Sequence, residues 1–234
     1  TLLEHRYANF NGLNLSWETL EGVVKHNGPV GNQAKLRPAI SQLDAELSLE
    51  LSSYASAEAQ LANLADDIAY LSHDFDDALR AGLFEIADIA HLPQVKPALA
   101  RIESTFGKIE RGRLAHELVR RLISVFVEDL LRQSLTNLQA LGAVHPNDIR
   151  YAKTAVIAFS PKMATDLESL RNFLFTNMWR HFKVNRMTSK AKRVVTELFN
   201  LFMSETNTLP EEWQHHENQP IASLPDETKA RIIS

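Results

Sequence analysis

Apolar residues recur every three or four positions along almost the whole chain. No run of alternating apolar and polar residues is bounded by turn residues, so the pattern predicts an all-α fold. A first helix should start after Ser16, a good N-cap, and run through Trp17, Leu20, Val23 and Val24 to a stop near Gly28 and Pro29. A longer helical region starts near Pro38. The next helix covers about residues 56–82, with Gly82 suited to the left-handed conformation that ends a helix. Pro93 and Pro97 break the chain before a short helix to about Phe106. Gly107 then separates that helix from a long one through Leu114, Leu118, Val125 and Leu131. After a turn at 142–146, helices are expected over 162–179 and 189–205, followed by a polar, proline-containing loop over 206–225.

The composition narrows this picture. With 234 residues and 44% hydrophobic content, the chain can bury one sizeable core, and a single helical domain over 1–234 is the working expectation. A formal charge of -4 argues against a surface built wholly for nucleic acid, leaving only local basic patches to weigh. The absence of cysteine removes disulfides, thiolate catalysis and thiolate zinc sites, and cytoplasm is the default compartment. No apolar run approaches the roughly 20 residues of a membrane span, so no membrane partner is expected. The chain opens Thr1-Leu2-Leu3-Glu4, without Met or the order of a signal peptide, and is expected to be a piece of something longer.

The helix over 56–82 carries the most chemistry. At about 100° per residue, Leu61, Leu64, Ile68, Leu71, Phe75 and Leu79 fall within about 40° of one direction and form the expected core face. Asp66, Tyr70, His73, Asp74 and Asp77 fall on the opposite side, within an arc of roughly 100°. Such a stripe is ordinarily the solvated back of an amphipathic helix, but those faces usually mix Glu with Lys four residues apart. Here the acids are mostly Asp, a poor helix former, and no Lys or Arg occurs between Arg37 and Arg80. A ring at Tyr70 between carboxylates at Asp66 and Asp74, in four-residue steps, suits a pocket wall.

Two stretches carry a family resemblance. The run Ala57-Glu58-Ala59-Gln60, Leu64-Ala65-Asp66-Asp67-Ile68-Ala69-Tyr70 and His73-Asp74-Phe75-Asp76-Asp77-Ala78-Leu79-Arg80-Ala81-Gly82 resembles the metal-site helix of the dGTPase family of HD-domain triphosphohydrolases. Upstream, Phe10-Asn11-Gly12-Leu13-Asn14-Leu15, Trp17-Glu18 and Glu21-Gly22-Val23-Val24-Lys25-His26-Asn27 resemble the segment preceding that helix, in the same order. The resemblance implies an HD-type helical bundle with additional C-terminal helices. This chain would be its larger C-terminal part, lacking the N-terminal metal-binding helices and the extreme C-terminus. It implies hydrolysis of a dNTP to deoxynucleoside and inorganic triphosphate, with metal-activated water attacking the α-phosphorus. The divalent metal, Mg2+ or Mn2+, would be held by a His, a His-Asp pair and a later Asp; only the last is present, as Asp66. The dipeptide His73-Asp74 imitates the pair but lies on the wrong helix. Tyr70 and Asp74 are expected at the deoxyribose, with Asp74 accepting from the 3′-hydroxyl. A homo-oligomer is the usual state of the family.

A triphosphate also needs cations. Lys25 is the first candidate, at a helix end beside Asn27-Gly28, and Arg6 with Tyr7 resembles a Lys-Tyr pair at the family's phosphate site. Arg113, Glu117, Arg121, Glu128 and Arg132 share a stripe of alternating sign that reads as salt bridging. From Arg171 to Arg193 there is no acid, while Arg180, His181, Lys183, Arg186, Lys190, Lys192 and Arg193 accumulate with Trp179 and Phe182 between them. That window suits a triphosphate site, a nucleic-acid patch or a basic solvated face. Two rival functions stand beside the first: an HD phosphohydrolase acting on another nucleotide, and a noncatalytic nucleotide-sensing or interaction protein. A lone carboxylate does not hold a catalytic ion, so the isolated chain is expected to be inactive.

Overall fold

The computed structural model describes residues 7–10, 12–31, 36–216 and 219–233. Its elements are α1 (Trp17–Val24), α2 (Pro38–Leu47), α3 (Ala57–Arg80), α4 (Ile86–Ile89), α5 (Val95–Phe106), α6 (Arg111–Leu141), α7 (Pro146–Arg150), α8 (Pro161–Leu174), α9 (Phe182–Ser204) and α10 (Asp226–Ile233). The only strands among the described residues are the two-residue pair β1 (His215–His216) and β2 (Gln219–Pro220), so the all-α expectation holds.

Local chemistry explains most boundaries. The Ser16 and Ser56 hydroxyls accept from the backbone amides of Thr19 and Ala59, each at 3.3 Å, and start α1 and α3. Gly82 (φ +59°) follows the end of α3, and Gly142 (φ +63°) ends α6, a conformation that costs a residue with Cβ. Two expectations shift. Pro97 lies inside the first turn of α5, where a missing N–H removes no intrahelical bond, so it does not break the helix. And α9 begins at Phe182 rather than near Ser189, because the His181 ring accepts from the Lys183 amide at 3.3 Å. Histidine is an uncommon cap, which hides this start in the sequence.

The chain divides into two compact units, 1–174 and 175–234. In the first, α3 lies along α6, α5 packs on α6, and α1 and α8 pack on α3. α6 buries Leu118, Leu122, Phe126 and Leu130, one per turn, and α3 answers with Ile68, Leu71, Phe75 and Leu79. Phe75, Phe84 and Phe173 form an aromatic chain with centroids 5.8 and 5.0 Å apart. Gly22 brings α1 so close to α3 that a Cβ there would lie 3.0 Å from that of Ala59. Polar ties fix the ends. The Gln60 carboxamide accepts from the amides of Val156 and Ile157, and buried Asp129 accepts from both the amide and hydroxyl of Ser160, each at 2.9 Å, before α8.

In the second unit, a π-helical turn (Phe175–Trp179) precedes α9, which packs against α10. The stretch at 206–225, expected as loop, holds three short 3-10 turns and the β1–β2 pair, with Ile221 buried.

Candidate active site

α3 presents three faces. Its core face is covered only in part: Ile68, Leu71, Phe75 and Leu79 are buried, Leu64 is half-buried, and Leu61 is 39% exposed. The opposite crest carries Asp66 and His73, both exposed, with Tyr70 59% exposed, Asp77 exposed and Asp74 half-buried. The predicted stripe therefore exists as an outward-facing surface. At 100° per residue the crest has a flank on either side. One, with Ala65 and Ala69, faces α6. On the other, Asp67 accepts from Arg171 of α8 at 3.0 Å, both side chains a little under half exposed.

Arg171 is the cation that sequence reasoning passed over. It sits 104 residues from Asp67, and only the packing of α8 on α3 brings its guanidinium beside the crest. The one available signal was its place at the start of the acid-free window. Among the described residues, no three His, Asp or Glu side chains come together in a way that could hold a metal ion, so Asp66 stands as a single carboxylate.

Lys25, first candidate for a phosphate contact, is used elsewhere. It is 1% exposed, and its ammonium pairs with Glu21 at 2.7 Å while donating to the Ser53 hydroxyl (2.9 Å) and the carbonyls of Tyr54 (3.1 Å) and Glu50 (3.3 Å). Its three protons are spent within the chain. This corrects the phosphate reading: a ligand would have to strip Lys25 from a fully buried partner. Glu21, 0% exposed, also receives both arms of Arg150 at 2.9 Å, across 129 residues. Those hydrogen bonds, ahead of the opposing effect of burial, hold the Arg150 guanidinium above its ordinary range. Arg150 also covers the Trp17 ring at 5.1 Å, and the Trp17 indole donates to the Leu47 carbonyl. The cluster clamps α1, the loop before α3 and the end of α7. Glu50 in that loop takes a positive φ of 51° and accepts from the Tyr151 phenol at 2.8 Å, which pushes that phenol up.

Arg6 lies outside the described residues; Tyr7 is 50% exposed and stacks on Phe10 at 4.9 Å. Of the alternating stripe, Glu117 and Arg121 pair loosely at 3.9 Å; Glu117 pairs more closely, at 2.8 Å, with Arg120 outside the stripe, and Arg132 turns to Asp129. In the second unit the basic window forms the first half of α9 and the turn before it. There Arg180 covers Phe175 and Arg186 covers Phe182, at 5.0 and 5.8 Å. A hollow of about 820 Å3 near Asn137, Tyr151 and Val156 contains none of the predicted site residues.

Residues 157–233 match the phosphohydrolase-associated domain. The chain is 47% identical over 216 residues to a deoxyguanosinetriphosphate triphosphohydrolase-like protein of Caulobacter sp. (strain K31), covering 91% of this chain and 55% of the relative. It is 46% identical over 218 residues to the protein of that name from Parvibaculum lavamentivorans, with 92% and 55% covered. The match to the Azorhizobium caulinodans protein is 42% over 243 residues, spanning all of this chain and 60% of that one. No described helix is long and apolar enough to cross a membrane. The chain thus spans a little over half the length of these curated relatives, and it belongs to the family of deoxyguanosinetriphosphate triphosphohydrolase-like proteins.

Proposed function

We propose that this chain is the sugar- and phosphate-facing part of an enzyme that hydrolyses a dNTP to deoxynucleoside and inorganic triphosphate, acting with a divalent metal ion. The observation that carries the reading is the crest of α3, where Asp66, Tyr70 and Asp74 follow at four-residue steps opposite the core face, in a chain of this family. The described residues do not make a complete metal site. Asp66 contributes one carboxylate, and the remaining ligands belong to the longer protein. Mg2+ or Mn2+ suits a carboxylate-containing site of this kind.

The residues present bind and orient. Tyr70 offers a ring face to a deoxyribose, and the half-buried Asp74 carboxylate accepts a hydrogen bond from a sugar hydroxyl. Arg171 takes the phosphate role first given to Lys25. Its guanidinium is partly exposed and, among the described residues, pairs with a partly exposed Asp67, a pairing that costs little to exchange for a phosphate oxygen. Arg6 and Tyr7 remain further phosphate candidates. A homo-oligomeric state and a cytoplasmic location are expectations of the same reading.

The test is an assay of the purified longer protein, with Mg2+ and with Mn2+, against dNTPs, NTPs and nucleoside monophosphates, scoring inorganic triphosphate. Triphosphate released from dNTPs supports the proposal. Cleavage of monophosphates alone, or no hydrolysis at all, defeats it in favour of another phosphohydrolase or a nucleotide-sensing protein.

A further inference from the structure

In the second unit, α9 leaves an apolar face uncovered. Val184, Met187, Ala191, Val194, Leu198 and Leu201 follow in alternating steps of three and four residues, and at 100° per residue they fall within about 50° of one direction. Met187 is 61% exposed, Val194 and Leu198 45% each, and Leu201 38%. α10 packs against α9, and Phe199, Phe202 and Met203 beside the stripe are half-buried, yet no residue of α9 is fully buried. An apolar stripe that stays in water over roughly 26 Å, about five turns, is a surface made for a partner.

The spacing and the flanking charges say which partner. Apolar residues at two positions of a seven-residue repeat form the seam along which two helices pair. One flank of the seam carries Lys183, Lys190 and Glu197, seven residues apart; the other carries Thr188, Val195 and Phe202, without charge. Two such helices running in opposite directions set like flanks against each other. With Ala191 against the partner's Val194, Met187 meets the partner's Leu198, Val184 meets the partner's Leu201, and Lys190 lies opposite the partner's Glu197, twice by symmetry. Running in the same direction, each helix would set Lys190 against the partner's Val195 and Glu197 against the partner's Phe202, with no ion pair formed. Neither Lys190 nor Glu197 forms an ion pair among the described residues, so both charges are available.

We infer that α9 pairs with α9 of a second copy of this chain, as an antiparallel two-helix coil about a two-fold axis between residues 192 and 193. The stripe and its charges repeat through that axis, so one patch on each copy is complementary to itself, as a two-fold contact requires. The small Ala191 in the central layer lets the two backbones approach closely. A lipid surface would suit the cations of α9, but it gives no role to the register of Glu197 with Lys190. The pairing does not depend on the chemistry proposed for α3.

Disulfide trapping in the longer protein tests the register, and this chain has no cysteine to interfere. The double variant Met187→Cys with Leu198→Cys is oxidised as a mixture of isotope-labelled and unlabelled protein, and linked peptides are identified by mass spectrometry. Residues 187 and 198 of one helix are about 16 Å apart, beyond the roughly 7 Å that a disulfide spans, so a 187–198 link joins two chains. That link is expected in mixed-isotope form, with none from Met187→Cys alone. A 187–187 link means a parallel pair and overturns the inference, as does the lack of any link. Sedimentation equilibrium gives a second reading. Lys190→Glu sets like charges opposite one another twice and should weaken self-association at least about 10-fold, and adding Glu197→Lys should restore it. Unchanged association in the single variant, or no recovery in the double one, also overturns the pairing. Cosedimentation with vesicles of phosphatidylserine and phosphatidylcholine in place of a link would give the stripe to a lipid surface. Linked chains without triphosphate release remove the enzymatic reading and leave the pairing; release without links does the reverse.

Discussion

Two clusters of charge on neighbouring helices have opposite fates. Glu21, Lys25 and Arg150 are withdrawn from water and satisfy one another across the fold, whereas Asp66, Tyr70 and Asp77 stand outward on α3, with Asp74 half-buried beside them. A buried ion cluster is costly to form and more costly to break, so its members are constrained by one another. An exposed carboxylate such as Asp66 contributes little to folding and is accessible to a ligand. The contrast separates residues that build the site from those that face it.

The buried cluster should give the largest stability effect. Glu21→Ala leaves two buried cations without their carboxylate, and denaturant unfolding of the chain should show a loss of about 3–5 kcal/mol. Asp66→Ala, by contrast, should stay within about 0.5 kcal/mol of the parent, as surface changes do. Similar losses for both would erase the distinction.

The crest should show its effect in catalysis. In the longer protein, Asp66→Asn is expected to lower triphosphate release at least about 100-fold, at the upper end of what even outer partners of a metal ligand contribute, with an unchanged unfolding midpoint. Activity within a few-fold of the parent would remove Asp66 from the site. A smaller change is expected at the flank: Arg171→Ala should raise KM for a dNTP about 10-fold, the value of one charge-assisted hydrogen bond, without comparable loss of stability. An unaltered KM would return Arg171 to the role of a surface ion pair with Asp67.

The smallest effect is one of pH. Asp148 accepts from the amides of His145 at 2.8 Å and Val144 at 2.9 Å at the start of α7, and these bonds hold its carboxyl below the usual aspartate range. A depressed carboxyl stabilises the fold above its unfolded pKa and loses that contribution as pH falls through its folded one. Asp148→Asn should therefore flatten the acid limb of stability below the ordinary aspartate range and leave its neutral-pH slope unchanged. An identical acid limb in both proteins would show that this cap does not contribute.

The helical class, the Ser16 and Ser56 caps, the end of α3 at Gly82 and the outward stripe through Asp66, Tyr70 and Asp74 were legible in the residues, because each depends on neighbours within a turn or two. The start of α9 was not, since its cap is a histidine ring. Lys25 was misread for a deeper reason. A lysine at a helix end looks the same whether it meets solvent or Glu21, Ser53 and Tyr54, and only the packing of the loop before α3 closes that cage. Arg150 and Arg171 likewise acquire their meaning from partners more than a hundred residues away.

By itself the sequence determined which residues share a helix face, because that follows from a fixed rise and turn. The tertiary structure decided which charges are spent and which are offered, because desolvation and pairing depend on which elements meet in space.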